Sequence, residues 1–401
     1  MKVLHINMTY DYGSTGRFIK YIKEELEKEG HGCNVVCSFA RGQKEGILET
    51  QSSFVQKVEI VLGRILGNHG LNCYMQTHKA LQFIKQYHPD VIHLHNLHGD
   101  YINFELLFKF IKKYDIPVIW KLPDCWSFTG HCAYYDYIQC DQWKKGCGKC
   151  PQLGQYPVSW IRDYSSEMLE KKKKAFSGVK RMILTPPSNW LKGQVEQSYL
   201  KQYKIVVVNN GTDTNNFKPV NDNKVRQIRS DGKIVVLGVV FGFDIRKGLD
   251  YFNFLAEKLP EHFKIILVGI KDEKKYMNSR IQLIGRTESV SELAQYYSAA
   301  DVFVNPTLEE NFPSVNIEAL SCGTPIVAFD TGGATEAFSP ETGVIVKKGD
   351  KEELLKSVIY VGEKKPFKSS DCVKRSKLFT KETMIQKYIE LYNEVIKYEN
   401  T

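Results

Sequence analysis

The 401-residue sequence has no apolar run that approaches the length of a membrane-spanning helix, which needs about 20 such residues. Residues 1–13 carry one lysine and a short apolar run followed by polar residues, so the pattern of a secretory signal is missing. The sequence also lacks internal repeats and low-complexity segments. These absences predict a cytoplasmic globular protein, in which disulfides among the ten cysteines are not expected.

Length and charge narrow the class of protein further. A chain of this length is expected to form two domains, because single cores stop growing at about 250–300 residues. The net charge of +9 suits an anionic ligand or an anionic membrane surface. It is not accompanied by an RNA-binding aromatic stripe, a zinc-finger spacing or a basic arm, so no nucleic-acid partner is predicted. The run Lys171–Lys174 fits a solvated helix face, with anionic lipid headgroups as the alternative.

Apolar strand patterns alternate with helical ones in both halves of the chain. This alternation predicts an α/β fold with two doubly wound, Rossmann-like domains that face a central cleft. We expect an N-terminal domain over residues 1–210, a linker over 211–232, a second domain over 233–380 and a C-terminal helix over 381–401 that packs back on the first domain. Residues 124–156, rich in Cys, Gly, Trp and Tyr, interrupt the alternation and are predicted to be an irregular insertion.

The segment from Asn305 to Glu336 combines a strand, a loop, a short helix and a second strand. Glu310 lies in the loop, Pro313 suits the first position of the helix, and Glu318 lies just over one turn into it. A strand-to-helix turn presents free backbone N–H groups to a ligand phosphate. Glu318 would then accept hydrogen bonds from ribose hydroxyls, and Glu310 would reach a transferred sugar. A surface helix with two solvated glutamates is the simpler alternative.

Several motifs in order along the chain resemble the retaining glycosyltransferases of family 4, whose architecture is called GT-B. Residues 310–336 resemble the family pattern E-x7-E-A-x-x-x-G-x-P followed by G-G-x-x-E. Residues 210–219 are similar to its N-G-x-D-x-x-x-F-x-P linker, and residues 187–191 to its serine-containing turn. Arg246-Lys247-Gly248 resembles its phosphate-binding K-G. The chain departs from the pattern at Val239, where the family commonly has Arg.

The resemblance implies a role for individual residues. Catalytic roles fall to Glu310 at the donor sugar, to Lys247 and Arg246 at the diphosphate, and to Asp124. It also implies a set of donor-binding residues: Gly13, Ser14, Thr15, Gly16, Gly242, Arg286, Asn311, Phe312, Pro313, Ser314, Val315 and Glu318. Metal-independent chemistry with no cofactor is implied, because two cations and a helix N-terminus can stabilise a leaving nucleoside diphosphate.

The first domain supplies the weaker candidates. Residues 12–17 are expected to form a glycine-rich loop before a helix that runs from Arg17 to Glu29, with a plain tight turn as the alternative. The His-rich stretch 93–98 favours a polar cleft rim over a metal site, and Asn96 and His98 are candidate acceptor contacts. Asp124 is a candidate base for the acceptor, or equally a helix cap. It follows Pro123, where many relatives carry His.

Four cysteines lie close together in the irregular insertion: Cys132, Cys140, Cys147 and Cys150. Their C-x7-C-x6-C-x-x-C spacing fits a tetrahedral structural zinc site, with unliganded thiols or a redox pair as alternatives. A similar Cys-rich insertion occurs in a bacterial polysaccharide-type subgroup of the family, which favours capsule, exopolysaccharide or O-antigen assembly.

The sequence therefore predicts transfer of a hexose from a UDP- or GDP-linked donor to a glycan or lipid-linked acceptor. Peripheral association with the inner membrane face is expected to accompany it. Two other readings stay open at this stage: a nucleotide-sugar epimerase on the same architecture, and a non-catalytic glycan- or nucleotide-binding relative.

Overall fold

The computed structural model describes residues 1–42, 44–240, 245–270 and 277–397. The chain divides into two compact units: Met1–Val208 together with the chain from Ile385 onward, and Asn209–Met384. Both units are built on parallel β-sheets with helical connections, so the predicted pair of doubly wound α/β domains is confirmed.

The first unit contains a seven-stranded parallel sheet and six helices before residue 208. Its strands are β1 (Lys2–Ile6), β2 (Thr9–Tyr10), β3 (Gly32–Cys37), β4 (Phe39–Ala40), β5 (Ile47–Glu49), β6 (Val91–Leu94), β7 (Val118–Lys121), β8 (Met182–Thr185) and β9 (Lys204–Ile205). Its helices are α1 (Gly13–Lys28), α2 (Ser53–Leu66), α3 (Tyr74–Tyr87), α4 (Phe104–Tyr114), α5 (Ser165–Phe176) and α6 (Asn189–Val195). The sheet order is β5-β3-β1-β6-β7-β8-β9, and β2 pairs separately with β4.

The second unit contains a six-stranded parallel sheet. Its strands are β10 (Ile234–Val239), β11 (Phe263–Val268), β12 (Ile281–Ile284), β13 (Val302–Asn305), β14 (Ile326–Phe329) and β15 (Gly343–Val346), in the order β12-β11-β10-β13-β14-β15. Its helices are α7 (Asn223–Ile228), α8 (Leu249–Lys258), α9 (Val290–Ala299), α10 (Ser314–Ser321), α11 (Lys351–Lys364) and α12 (Ser369–Ser376). The last helix, α13 (Lys381–Lys397), begins in this unit.

Both faces of the second sheet are buried, because successive strand residues enter different apolar clusters. Val235 and Leu237 belong to one cluster and Val236 to the other. Burial on both sides explains why these strands read as continuous apolar runs rather than as alternating patterns. In the first unit the strands of the main sheet pack into one large core that contains Trp120 and Phe176.

The helix α13 joins the first unit from Ile385 onward. Tyr388 and Tyr392 on α13 are fully buried, and the Tyr392 hydroxyl lies 2.7 Å from Nδ1 of His93 on β6. At its other end, Lys381 forms an ion pair of 2.7 Å with Asp213. Residues 211–232, predicted as a linker, belong to the second unit and include α7.

Residues 122–164, which include the predicted irregular insertion at 124–156, contain a single short 3-10 helix at Gln142–Lys144 as their regular structure. Within the part of the chain that the structure describes, no helix is long and apolar enough to cross a membrane.

Candidate functional site

The topology of the second unit singles out the gap between β10 and β13. These strands are the first and fourth of this sheet along the chain, and they lie side by side. In open parallel sheets, ligands bind beyond the carboxyl ends of the strands where the strand order reverses. The segments that leave these two ends carry Arg246 and Lys247 after β10, and Glu309 and Glu310 after β13.

Two ion pairs join the segments. Nζ of Lys247 lies 2.5 Å from Oε2 of Glu310, and Nη1 of Arg246 lies 3.3 Å from Oε2 of Glu309. The two glutamates differ in exposure, since the Glu310 side chain is 16% exposed and the Glu309 side chain is 2% exposed. Arg246, Lys247 and Glu310 were predicted from the sequence. Glu309 was not predicted, because an acidic residue beside Glu310 in a loop belongs to no motif.

The backbone fixes this pairing. The amide of Leu308 donates to the carbonyl of Arg246 at 2.7 Å, which ties the two segments together. Gly248 caps α8 with a φ of +75°, and a Cβ there would lie 2.1 Å from the carbonyl oxygen of Pro306. Only glycine allows this approach, so Gly248 keeps Lys247 opposite Glu310.

The helix α10 begins directly after the glutamates. Pro313 is its N-terminal cap rather than its first helical residue, with a φ of −72° and a ψ of 123°. The sequence prediction for Pro313 was therefore wrong by one position, because a residue with extended ψ does not continue a helix. Asn311 and Phe312 are buried, whereas Ser314 and Val315 are partly exposed at the free N–H groups of the first turn.

Glu318 lies within α10 and is 6% exposed. Its Oε2 accepts a hydrogen bond of 3.0 Å from the hydroxyl of Tyr297 on α9. This burial excludes the alternative of a solvated surface glutamate. Tyr297 was not identified from the sequence, since a tyrosine in an amphipathic helix usually reads as a core residue.

One predicted donor-binding residue lies elsewhere in the second unit. Arg286 is exposed and follows β12, which is the edge strand on the far side of β11 from β10. Gly242 lies outside the described residues.

The glycine-rich segment of the first unit is helical. Residues 13–16 form the first turn of α1, so the prediction of a loop ending at Arg17 was wrong. Gly13 and Ser14 are exposed, Thr15 is partly exposed, and Gly16 is buried. The Gly16 carbonyl accepts from the amide of Asp11, and this bond folds the entry to the helix back on its first turn.

The structure brings two separately predicted residues of the first unit together. Nε2 of His98 lies 2.8 Å from Oδ2 of Asp124, and Nδ1 of His98 lies 2.8 Å from the hydroxyl of Tyr156. The other carboxylate oxygen of Asp124 accepts from the amide of Trp126 at 2.9 Å. The side chain of Asn96 accepts from the backbone amide of His98, so it supports the loop. These residues follow β6 and β7, which are neighbours in the sheet.

The remaining histidines of the stretch do not form a cleft rim. His93 and His95 are fully buried beside His5 of β1, and Nδ1 of His5 lies 2.9 Å from Nε2 of His95. One ring nitrogen of each histidine lies within 4.8 Å of the others. Burial lowers the pKa of all three, that of His5 to about 3. Nearby Lys121 is also buried, and desolvation lowers its pKa to about 7.

The four clustered cysteines are thiols in one irregular segment. Burial raises the pKa of Cys132 to about 12 and that of Cys150 to about 11, and the other thiols of the cluster add to both shifts. The backbone amide of Gly130 donates to Sγ of Cys147 at 3.2 Å, which opposes the rise in the pKa of Cys147 that burial causes. Across residues 1–42, 44–240, 245–270 and 277–397, no three of these sulfurs lie within 4.8 Å of each other.

The lysine run of α5 is not a uniform solvated face. Lys172 is fully buried, and its Nζ donates to the carbonyls of Trp126 and Thr129 at 2.7 and 3.0 Å. Lys171 pairs with Glu105 at 3.3 Å, and Lys173 and Lys174 are exposed. Lys172 therefore holds this irregular segment in place. The run of four lysines in the sequence gives no sign of that role.

Known proteins resemble this chain in sequence. Residues 232–363 match the family described as "Glycosyl transferases group 1". The chain is 24% identical over 378 residues to the putative colanic acid biosynthesis glycosyl transferase WcaC of Escherichia coli, covering 89% of each chain. It is 27% identical over 216 residues to the N,N'-diacetylbacillosaminyl-diphospho-undecaprenol alpha-1,3-N-acetylgalactosaminyltransferase of Campylobacter jejuni, covering 49% of this chain and 56% of that one.

Solved structures share the whole fold. The sucrose-phosphate synthase of Thermosynechococcus elongatus superposes with a TM-score of 0.71 at 17% identity, covering 98% of this chain and 99% of that one. Anabaena Alr3699/HepE in complex with UDP gives 0.68 at 16% identity, covering 98% and 100%. The chain thus contains a glycosyl transferases group 1 domain at residues 232–363, and it is an enzyme, a glycosyltransferase with the GT-B fold.

Proposed function

We propose that this glycosyltransferase moves a hexose from a UDP- or GDP-linked donor to a glycan or lipid-linked acceptor in cell-surface polysaccharide biosynthesis. The names of two relatives support this assignment, one through colanic acid biosynthesis and the other through a diphospho-undecaprenol acceptor. A third relative, from Klebsiella pneumoniae, is described as a protein in the cps region and is 26% identical over 98% of this chain. These names favour a capsule- or exopolysaccharide-type product.

The observation that carries the proposal is the pair of cations held opposite two carboxylates at the switch point of the second sheet. Lys247 and Arg246 supply positive charge where a diphosphate would lie, beside the N-terminus of α10. A bound diphosphate would take over Lys247 and release Glu310 to the hydroxyls of the sugar. Buried Glu318 would hold the ribose.

The leaving group shapes the proposed chemistry. Departure of a nucleoside diphosphate places negative charge on its terminal phosphate, and Lys247, Arg246 and the helix N-terminus can stabilise that charge. We therefore propose that transfer needs no metal ion and retains the configuration at the sugar, as in the family 4 enzymes that the sequence resembles. No protein nucleophile is assigned.

The acceptor side is assigned to the His98–Asp124 pair. A buried carboxylate held by an imidazole and a backbone amide has a fixed direction, so Asp124 could orient or deprotonate an acceptor hydroxyl. His98 also places an imidazole against Asp124, the residue that follows Pro123.

Zinc is proposed for the cysteine segment in a structural role. Four thiols within 19 residues match the donor chemistry of a Cys₄ site, and a bound dication would draw the sulfurs together and favour their thiolate forms. The metal would stabilise the segment between residues 132 and 150, which contains little regular structure of its own.

The proposed setting is the cytoplasm, with peripheral contact at the inner membrane face, where a lipid-linked acceptor would be available. Thermal unfolding of the protein with a panel of UDP- and GDP-linked sugars tests donor binding, because a ligand that binds the folded state raises Tm. We expect one nucleotide class to raise Tm, with and without EDTA. Transfer to a lipid-linked acceptor should follow with that donor; turnover of the donor alone would indicate an epimerase, and the absence of any stabilising donor would contradict the proposal.

A further inference from the structure

His98 lies among three polar partners in the loops that follow β6 and β7. Its two ring nitrogens face Asp124 and the hydroxyl of Tyr156, each at 2.8 Å, and its backbone amide donates to the side-chain oxygen of Asn96 at 3.0 Å. Only 4% of His98 is exposed. A ligand at this place would therefore meet the three partners rather than the imidazole, and His98 positions them.

Tyr156 is 48% exposed, although its hydroxyl is turned inward to His98. Burial raises the pKa of this hydroxyl, and the carboxylates of Asp124 and Asp100 raise it further. The centroids of the Tyr156 and His98 rings lie 5.2 Å apart with 69° between their planes, so the two rings do not stack face to face. Tyr156 thus offers an aromatic ring to a ligand, and its own hydroxyl fixes the direction of that ring.

Asn96 and Asp124 add complementary polar groups. Asn96 is partly exposed, and its side-chain NH2 group donates no hydrogen bond within the part of the chain that the structure describes. Asp124 accepts one hydrogen bond on each carboxylate oxygen, from His98 and from the amide of Trp126. A carboxylate can accept about four such bonds. The three partners of His98 therefore supply an apolar ring, a donor and a charged acceptor.

We propose that Asn96, Asp124 and the ring of Tyr156 form a subsite for one pyranose ring of the acceptor. The proposal rests on the proposed function, which gives the enzyme a glycan acceptor. A pyranose has a face of C–H groups, which packs on an aromatic ring, and a rim of hydroxyls, which need donors and acceptors. An anionic ligand would be repelled by Asp124, and an apolar ligand would leave Asp124 and Asn96 unpaired.

The subsite gives Tyr156 a part in acceptor specificity. One imidazole ring separates the Tyr156 hydroxyl from the Asp124 carboxylate, so a sugar that packs on the Tyr156 ring brings its hydroxyl rim to Asp124. An axial hydroxyl on the packed face would hold the sugar away from the ring. The subsite therefore selects sugars that have at least one face free of axial hydroxyls.

Saturation-transfer NMR on the full-length protein tests the subsite with the methyl β-glycosides of glucose, galactose and N-acetylglucosamine. Tyr156→Ala removes the ring, whereas Tyr156→Phe keeps the ring and removes the hydroxyl. Asn96→Asp keeps the oxygen that accepts from His98 and removes the NH2 donor. Tyr114→Ala is the matched control, because Tyr114 is 46% exposed and ends α4 before β7 begins, at the opposite edge of the sheet.

We expect wild type, Tyr156→Phe and Tyr114→Ala to bind at least one glycoside, and Tyr156→Ala and Asn96→Asp to bind it about three- to tenfold more weakly. Wild-type affinity in Tyr156→Ala or Asn96→Asp, or no binding by wild type, would overturn the inference. Equal weakening by Tyr156→Phe and Tyr156→Ala would also overturn it, since the hydroxyl rather than the ring would then be responsible. No nucleotide-sugar enters these measurements, so the subsite and the proposed donor chemistry fail separately.

Discussion

Nζ of Lys247 lies 2.5 Å from Oε2 of Glu310, across the gap where the strand order of the second sheet reverses. Lys247 is proposed to bind the diphosphate, and Glu310 is proposed to bind the sugar. Each holds the other in position until a donor arrives, which gives substitutions at the two residues different expected effects.

Glu318 is expected to contribute to donor binding through the ribose. Replacing it by Ala removes a buried carboxylate and should weaken donor affinity by about 10-fold to 100-fold, the loss of one or two charge-assisted hydrogen bonds. Titration calorimetry with the nucleoside diphosphate measures this loss.

Tyr297→Phe is the matched control for Glu318→Ala. It removes the hydroxyl that donates to Glu318 and leaves the carboxylate in place. Its donor affinity should fall by less than that of Glu318→Ala. If Glu318→Ala binds the nucleotide as wild type does, Glu318 serves the fold alone.

Asp124 is expected to act on the acceptor rather than on the donor. Asp124→Asn keeps the shape of the side chain and removes the charge that faces His98, so kcat should fall by about 100-fold or more while donor affinity is unchanged. Tyr156→Phe removes the other partner of His98 and should cost less activity. Steady-state kinetics with varied acceptor concentration measure the effects of both variants. Full activity of Asp124→Asn would show that Asp124 does not act on the acceptor.

The buried histidines predict a loss of stability in mild acid. His5, His93 and His95 have lowered pKa values in the folded state, so the unfolded chain takes up their protons first. The three histidines therefore cost no stability well above pH 6.5 and lower the free energy of unfolding as the pH drops below 6.5, by up to about 1.4 kcal/mol per histidine at pH 5.5. Lys121, with a pKa of about 7, adds no slope below that pH because it is then protonated in both states.

Urea unfolding between pH 7.5 and 5.5 measures this dependence. All five tryptophans lie between residues 120 and 190, so their fluorescence reports on the first unit. The exposed residue His78 provides the control, as His78→Gln should leave the slope unchanged, whereas His5→Leu should lessen it. A free energy of unfolding that does not vary over this range would show that the imidazoles are not protected.

The cysteine segment is expected to hold one zinc ion per chain. Elemental analysis of untagged protein should find stoichiometric zinc, and Cys147→Ser/Cys150→Ser should lose it with a lower Tm. Cys322→Ser, at a buried cysteine of the second unit, should retain the metal. Only a trace of zinc in the wild-type protein would refute the site.

Apolar strand patterns that alternate with helical ones predicted the architecture, and the alternating strands and helices of both units confirm it. Apolar residues of α2 face solvent, and helical periodicity does not distinguish such an arrangement from one in which they face the core. Residues 13–16 were predicted to be a loop because they are rich in glycine, yet they form the first turn of α1, where a Cβ at Gly16 would lie 3.0 Å from Oγ1 of Thr9.

The sequence predicted those site residues for which a motif determines both the spacing along the chain and the loop or helix on which the residue lies. Glu310, Glu318 and Lys247 belong to such motifs, whereas Glu309 and Tyr297 were found only through their contacts. The pairing of His98 with Asp124 joins loops 26 residues apart, and only the adjacency of β6 and β7 brings them together. Burial of Lys172 depends on two backbone carbonyls of the irregular segment. The path of that segment could not be predicted, because it contains little regular secondary structure.

The most direct test of the account compares nucleoside diphosphate binding by wild type, Lys247→Ala and Glu310→Gln, using titration calorimetry beside the transfer assay. Lys247→Ala should bind the diphosphate at least about tenfold more weakly, because it loses a charged contact. Glu310→Gln should bind it as tightly as wild type or more tightly, since Lys247 is no longer paired, and yet should lose transfer. Unchanged diphosphate binding by Lys247→Ala, or full transfer by Glu310→Gln, would contradict the assignment of this pair to the donor.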